Sequence, residues 1–235
     1  MAQSRRDRSA VRPDDAGRCA IPELDLAKLT AGVAAELTAE QFLQQPYISK
    51  PLRLLDCDYP CDSGSAVIFT TEERARDLQQ PVVLVDSYAM ASTHDMNFEI
   101  QPDMVRTAPH HCAERLWART ELTPADVDVA QLYDAFTITP ILFLEDLGFC
   151  AKGDGGPLAA SGAIAPGGAL PLNTNGGGLS YTHPGMYGLH AIVEAVRQLR
   201  GECGERQVKD ARTAICHGTG GILAASATAI LSTER

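Results

Sequence analysis

The middle of the chain alternates between two spacings of apolar residues, which predicts two successive strand–helix units. VVLVDSYAMAS (82–92) is an apolar, β-branched run of the buried-strand type, and HHCAERLWARTEL (110–122) carries apolar residues at helical spacing. VDVAQLYDAF (127–136) is predicted as the next strand, and TPILFLEDLGF (139–149) as the helix that follows it. Alternation of this kind is typical of an α/β fold.

The last third of the chain adds a helix and a hairpin to this pattern. YGLHAIVEAVRQLRG (187–201) predicts an amphipathic helix that Gly201 can cap. Its predicted buried face consists of Leu189, Ile192, Val193, Val196 and Leu199. TAICHGTGGILAASATAILS (213–232) predicts an antiparallel hairpin added to the sheet. Two shorter runs, Ala66–Thr70 and LPLNTN (170–175), are predicted strands as well.

Two regions lack a regular pattern. Residues 1–34 are charged and contain proline, with a weakly apolar stretch where a short helix could begin, so they are predicted to form a poorly ordered or non-native tail. Twelve of the 20 glycines lie between positions 148 and 188. That density requires turns, or close approach of the backbone to a ligand, and we expect the chemistry of the protein there.

Composition narrows the function classes. The 20 Lys and Arg against 30 Asp and Glu give a net charge of −10, which argues against a nucleic-acid partner. No apolar run approaches the ~20 residues of a membrane span, and the start of the chain lacks a secretory pattern. The seven scattered cysteines are typical of reduced thiols, and the one close pair, Cys57 and Cys61, lacks partners for a metal site. We therefore expect a cytoplasmic protein that holds no metal.

Reactive side chains concentrate at three predicted strand ends or glycine-rich loops. In NTNGGGLSYTHPG (173–185), Pro184 fixes the chain directly after His183, which suits a rigid acid/base imidazole, although a hydrogen-bonded loop histidine would look the same. Tyr133 ends a strand and could donate a hydrogen bond to a carbonyl or an enolate, or could simply pack. The adjacent His110 and His111 face different directions on a helix, which favours surface or capping roles.

The third segment brings together a thiol, an imidazole and glycine N–H groups. Cys216 and His217 are followed at once by Gly218, and this combination could transfer a proton beside an oxyanion site. A buried cysteine at the end of a strand is equally consistent with inert packing. The sequence alone does not choose between Cys216 and His217.

Taken in this order, the segments resemble the C-terminal part of the thiolase family over about residues 36–235, and within it the sterol carrier protein thiolase and lipid-transfer branch. The family's NxNGGxxxxxHP signature is met by Asn173, Asn175, Gly176, Gly177, His183 and Pro184. DCDYPCDSGSAVIF (56–69) is similar to the strand that closes the N-terminal half of the family fold, and VRQLRGECGERQV (196–208) is similar to the branch.

The resemblance implies a thiolase-like αβαβα layered fold, an acyl-CoA substrate without a bound cofactor, and a homodimer or a thiolase-like partner subunit. It divides the chain into the tail (1–34), a remnant of the N-terminal thiolase domain (35–80) and the C-terminal thiolase domain (81–235). By the same resemblance His183 is the catalytic base, and His217, or its neighbour Cys216, is the second acid/base group. The substrate-binding residues it implies, beside Tyr133 at the oxyanion site, are Phe136, Asn175, Gly177, Tyr181 and Gly218.

Two departures from the family pattern matter. Tyrosines 133, 181 and 187 crowd the region of the signature, and no cysteine lies in the setting of the family's acyl-accepting cysteine. Three hypotheses follow: a truncated thiolase-family reading frame whose acyltransferase nucleophile is missing, a retro-aldolase on a bulky steroid-type acyl-CoA with an OB-fold partner, or a non-catalytic acyl-CoA or lipid-binding subunit. The first two are enzymes that act on the C–C bond next to a thioester.

Overall fold

The computed structural model describes residues 12–13, 19–20, 37–58, 60–93, 100–101, 103–221 and 223–233. Its strands are β1 (Arg12–Pro13), β2 (Cys19–Ala20), β3 (Tyr47–Ser49), β4 (Leu52–Arg53), β5 (Val83–Ser92), β6 (Val129–Leu132), β7 (Thr213–Gly220) and β8 (Ala225–Thr233). Its helices are α1 (Ala39–Leu43), α2 (Glu72–Arg76), α3 (Ala108–Trp117), α4 (Ile138–Asp146), α5 (Gly155–Ala160), α6 (Gly177–Ser180) and α7 (Gly188–Leu199).

Four strands form the central mixed sheet, in the order β5-β8-β7-β6. β8 pairs antiparallel with both of its neighbours, and β6 pairs parallel with β7. The predicted antiparallel hairpin is therefore confirmed, and its second strand lies in the middle of the sheet. Of the predicted tail, only the two-residue pairing of β1 with β2 belongs to the described residues; the weakly apolar stretch that could start a helix lies outside them.

Helices cover the two faces of this sheet unequally. α3 packs on β5 and β8, and α4 packs against α3, so that Leu116, Phe143 and Ile230 share one core. On the opposite face α7 packs on β6 and β7 and forms a second core that includes Val129 and Ala195. The α/β class predicted from the sequence is confirmed, as are both strand–helix units.

The predicted buried face of α7 is confirmed only in part, because Leu199 is buried and Ile192 and Val196 pack against the second core. The helix buries His190, Ala191, Glu194, Ala195, Gln198 and Leu199, whereas Leu189 of the predicted face is 38% exposed. Polar residues can occupy the buried side because hydrogen bonds and an ion pair satisfy them, as described below for Glu194 and Gln198. The helix ends as predicted, with Gly201 at φ +72° directly after the last turn.

Both of the shorter predicted strands are wrong. Residues 61–70 form neither helix nor strand, and Ile68 and Phe69 are 92% and 68% exposed. No strand within the described residues lies beside this run, so its apolar side chains have no sheet to join. In LPLNTN only Leu172 makes a single bridge, to Ala130, because Asn173 turns the chain with φ +47°.

Candidate functional site

Three acidic or basic side chains converge beyond the end of β6. The Nε2 atom of His183 lies 3.1 Å from Oδ2 of Asp58 and 3.5 Å from the hydroxyl oxygen of Tyr133. The side chains of His183 and Asp58 are 16% and 17% exposed, so both groups are shielded from bulk water without being sealed off. Within the described residues, no hydrogen-bond partner reaches Nδ1 of His183, which is buried.

Backbone hydrogen bonds hold these residues together. Asp58 donates its N–H to the carbonyl of Ala135, just beyond β6, at 2.9 Å. Cys61 donates its N–H to the carbonyl of His183 at 3.3 Å, and Pro60 bridges to the same residue. Residues 57–58 and 60–61 therefore lie between the end of β6 and the loop that carries His183, and hydrogen bonds fix them to both.

Burial sets the protonation states of this cluster. It raises the pKa of Asp58 to about 6 and lowers that of His183. Burial, together with the charges of Asp58 and Asp134, raises the pKa of Tyr133 to about 12. At pH 7 the site therefore holds a carboxylate, a neutral imidazole and a protonated phenol, which is a usable combination of base and acid.

The glycine-rich loop is built around the buried carboxylate of Asp134. Gly178 donates its N–H to Oδ1 of Asp134 at 2.6 Å, and burial raises the pKa of this carboxyl to about 6. Gly177 has φ +65°, and a Cβ atom there would lie 2.1 Å from Oδ2 of Asp134. The second glycine of the signature is thus required by a close approach of backbone to carboxylate.

The two asparagines of the signature fix the loop from either side. The side chain of Asn173 exchanges two 2.8 Å hydrogen bonds with the backbone of Leu132, and so extends the edge of β6. Asn175 accepts from the N–H of Gly177 and from the hydroxyl of Tyr187, both at 3.0 Å. Tyr187 is fully buried, which raises its pKa, and its ring centroid lies 6.1 Å from that of Tyr133.

His217 and Cys216 lie in the two cores on opposite faces of β7. His217 is 1% exposed, its Nδ1 lies 2.8 Å from the hydroxyl of Thr228, and burial lowers its pKa to about 3. Cys216 packs against α7, and burial raises its pKa to about 12. No hydrogen bond or ring contact among the described residues joins either side chain to His183.

The remaining predicted binding residues lie around this cluster at different depths. Phe136 and Tyr181 are 38% and 41% exposed. Gly218 faces Gly188 at the start of α7, where an added Cβ would lie 3.4 Å from the facing Cα. Asn175 and Gly177 act on the loop itself, as described above.

Sequence reasoning missed Asp58. It lies in the run DCDYPCDSG, which was interpreted as part of a closing strand, and it is far from His183 along the chain. The sequence signal for Asp58 is a cluster of acidic residues and cysteines in a loop. Such a cluster does not indicate that Asp58 contacts His183. Among the described residues, no group of three or more His, Cys, Asp or Glu side chains could hold a metal ion.

Comparison with known proteins finds relatives that match most of this chain. A family model described as "Thiolase C-terminal domain-like" matches residues 89–233. A 17-hydroxy-3-oxo-4-pregnene-20-carboxyl-CoA lyase of Mycobacterium tuberculosis is 42% identical over 70% of this chain and 43% of its own length. Sterol carrier protein 2 of Rattus norvegicus is 33% identical over 79% of this chain and 35% of its own length.

A solved structure is also similar to this chain. A chain of the Ltp2-ChsH2(DUF35) aldolase superposes with a TM-score of 0.78 and 33% identity, over 85% of this chain and 52% of that chain. The present chain therefore spans about half the length, or less, of these relatives. In the part of the chain that the structure describes, no helix is both long and apolar enough to cross a membrane.

Proposed function

The chain belongs to the thiolase C-terminal domain-like family, and from that premise we propose that it is an acyl-CoA enzyme that cleaves the C–C bond next to the thioester by a retro-aldol reaction. The observation that carries the proposal is the cluster of Asp58, His183 and Tyr133, which supplies a base and an acid within 3.5 Å of one imidazole nitrogen. The relatives named as a lyase and an aldolase support the same direction.

The state of the thiols favours aldol cleavage over thiolysis. Thiolysis through an acyl-enzyme needs a cysteine whose thiolate is stabilised. Burial raises the pKa of Cys57, the cysteine next to Asp58, and the nearby charges of Asp56 and Asp58 add to this. Cys216 is shifted in the same direction by burial alone. Acid/base groups suffice for a retro-aldol step, so the reaction does not depend on either thiol.

The side chains of the site can account for the proton and the electron pair of the retro-aldol step. His183 takes the proton of the β-hydroxyl group of the substrate, the Cα–Cβ bond breaks, and its electron pair passes into the thioester enolate. Tyr133, protonated at neutral pH, donates a hydrogen bond to the enolate oxygen. A proton then returns to Cα, and the products are a ketone or aldehyde and a shortened acyl-CoA. Coenzyme A enters only as part of the substrate.

The solvent exposure of the candidate residues indicates which of them could contact the substrate. Phe136 and Tyr181 would border the acyl-CoA beside the cluster, since both are partly exposed there. His217 and Cys216 would act as a second acid/base group only if the core around them opened, because both are buried. Asn175, Gly177 and Gly218 would shape the loop backbone against the thioester.

The partner and domain proposals rest on the relatives. We infer an OB-fold partner protein, because the matching aldolase structure is a complex with a DUF35 component, and a homodimer or a thiolase-like subunit as the further partner. Residues 81–235 would form the C-terminal thiolase domain and 35–80 the remnant of the N-terminal one. The steroid-type acyl group is proposed from the relative named for a pregnene carboxyl-CoA.

The experiment compares two substrates. The purified chain, alone and with an OB-fold partner, is assayed for aldol cleavage of a β-hydroxy steroid acyl-CoA and for thiolysis of acetoacetyl-CoA. We expect aldol cleavage that falls at least about 100-fold in His183→Ala and in Tyr133→Phe, the range for losing an acid/base group. His111→Ala, which removes an exposed histidine of α3, is the matched control and should retain full activity.

Other outcomes would replace the proposal. Thiolysis without aldol cleavage would identify an acyltransferase with a nucleophile among the seven cysteines. Acyl-CoA binding without turnover of either substrate would identify a binding subunit.

A further inference from the structure

We propose that Lys50 and Arg53, held around the ring of Tyr47, bind the phosphate groups at the nucleotide end of coenzyme A. The identity of this ligand rests on the proposed function, whereas its binding is measurable without turnover. The family match begins at residue 89, so all three residues lie outside it.

The patch lies on the short hairpin of β3 and β4, in which Tyr47 pairs with Arg53. Cζ of Arg53 lies 4.1 Å from the centroid of the Tyr47 ring, and Nζ of Lys50 lies 5.5 Å from it. Both distances are within the range of cation–π attraction. Arg53 also donates to the hydroxyl of Tyr47 at 2.9 Å and to the carbonyl of Gln45 at 2.7 Å. One ring therefore keeps two positive charges close together.

These two charges have no counter-ion. Among the described residues neither Lys50 nor Arg53 forms an ion pair, and the carboxylate of the nearby Asp56 accepts the backbone N–H of Arg53 instead. Lys50 is exposed, and Arg53 uses two of the five N–H donors of a guanidinium. In a chain of net charge −10 this is a local exception. Lysine and arginine with free donors are the side chains that bind phosphate.

Backbone contacts lead from the patch to the cluster around His183. Residues 56–58 lie alongside residues 135–137, joined by two backbone hydrogen bonds of 2.9 and 3.0 Å and by a bridge between Cys57 and Phe136. The run ends at the carboxylate that contacts His183. Phe136 is 38% exposed within it. A ligand that extends from the cluster to the patch would therefore follow this run.

The length of coenzyme A fits this separation. Five residue steps join Arg53 to Asp58, and Leu54–Asp56 among them form a 3₁₀ turn. At about 2.0 Å per residue in the turn and about 3.4 Å elsewhere, the two residues lie about 13 Å apart or less. The pantetheine arm joins the thioester sulfur to the diphosphate through about twelve bonds, as many as four residues of backbone, or about 14 Å when extended. A thioester at His183 thus allows the diphosphate to reach the patch.

The test measures binding of coenzyme A to the full chain by isothermal titration calorimetry, with pantetheine, which lacks the nucleotide and its phosphates, as the comparison ligand. We expect coenzyme A to bind more tightly than pantetheine. Lys50→Gln should weaken the binding of coenzyme A about threefold and Lys50→Glu about tenfold, as expected for losing and then reversing one charge of an exposed pair. Neither change should affect pantetheine. Lys209→Glu, which reverses another exposed lysine, is the control matched in charge and should leave the Kd unchanged.

Three results would overturn the proposal. The first is coenzyme A that binds no more tightly than pantetheine, and the second is an unchanged Kd in Lys50→Glu. The third is an equal rise of the Kd in Lys50→Glu and Lys209→Glu, which would attribute the effect to the net charge of the chain.

The kinetic arm depends on the proposed function. With a β-hydroxy steroid acyl-CoA, Lys50→Glu should raise KM about tenfold with kcat within about twofold, because the phosphates are bound equally before and during the reaction. An unchanged KM would count against the patch. A wild type that binds coenzyme A as expected but has no aldol activity would remove the proposed function and leave the patch in place.

Discussion

At the scale of single residues, a glycine can be required for two reasons in the glycine-rich loop. Either the backbone adopts a positive φ angle, or a Cβ atom has no room beside a neighbouring group. Gly177 combines both demands, because it has φ +65° and a Cβ would lie 2.1 Å from a buried carboxylate oxygen. Gly185, in the same loop, has φ +91° but nothing within 4 Å of the Cβ position. Substitutions at Gly177 and Gly185 therefore separate the free-energy cost of a left-handed backbone from the cost of a steric clash between Cβ and Asp134.

Gly177→Ala should lower the free energy of unfolding by about 3 kcal/mol or more, because Asp134 must leave its N–H donors as well as the backbone being strained. Gly185→Ala should lower it by about 1 kcal/mol, the cost of the backbone conformation alone. Urea unfolding followed by circular dichroism measures both values. Equal losses in the two variants would show that Asp134 can move aside without penalty.

The sequence predicted those residues of the site that lie in short motifs of recognisable spacing. Tyr133, His183 and the glycines belong to contiguous motifs, in which residue type and spacing identify the local backbone. Asp58 lies in the run 56–69, whose resemblance to a strand does not identify its partner, and its contact with His183 joins segments that only the folded chain brings together. His217 is adjacent to a glycine turn in sequence, yet the strand period turns it into the core, which composition cannot reveal.

At the scale of elements, α7 shows why an amphipathic pattern predicts only part of a buried face. Glu194 is 3% exposed, but Arg206 donates to it at 2.9 and 3.1 Å and Thr174 donates at 2.7 Å. Gln198 and Gln131 each donate to the hydroxyl of Thr174 at 2.9 Å. The polar face thus ties the helix to β6 and to the loop between the two signature asparagines, an arrangement that helical spacing alone cannot predict.

Removing the two partners of this ion pair should not be equivalent. Arg206→Met leaves the buried carboxylate of Glu194 without its cation and should cost about 3 kcal/mol of unfolding free energy. Glu194→Gln leaves Arg206, which is 38% exposed, free to turn to water, and should cost only about 1 kcal/mol. Denaturant unfolding at pH 7 compares the two variants. A larger loss in Glu194→Gln would show that the carboxylate is needed mainly for its bonds to Thr174.

At the scale of the whole molecule, the described residues cover only half of one side of the sheet. α7 covers β6 and β7, while Val85, Tyr88 and Met90 of the edge strand β5 are 45%, 63% and 68% exposed. Their neighbours on β5, Ala89 and Ala91, are buried under α3 on the other face. Strand edges with exposed apolar side chains are surfaces for association.

The purified chain should therefore associate in solution, and Tyr88→Lys with Met90→Glu should shift it towards monomer. Charged side chains on this face would have to be desolvated when two chains meet, which opposes contact. Multi-angle light scattering over a concentration series measures the mass, with Ile100→Lys, which alters an exposed apolar residue outside β5, as the control. A wild-type protein that stays monomeric throughout would contradict this prediction.

The sheet order explains why the fold class was predictable and the arrangement was not. Alternating strand and helix patterns identified the α/β class, because each pattern is local. The position of β8 between β5 and β7 depends on pairing between Val83 and Thr233, at opposite ends of the sheet-forming sequence. The run at 66–70 has strand-forming residues, but none of the described strands lies beside it to pair with it.

The central place of β8 also dictates when the protein can fold during its synthesis. β5 is synthesised well before β8, which is its only partner strand among the described residues. At about 5–20 residues per second, the nascent β5 stays unpaired for on the order of 10 s. For that interval, the side chains of Tyr88 and Met90 are open to chaperones and to neighbouring nascent chains, and a premature stop before residue 225 would leave the strand unpaired permanently.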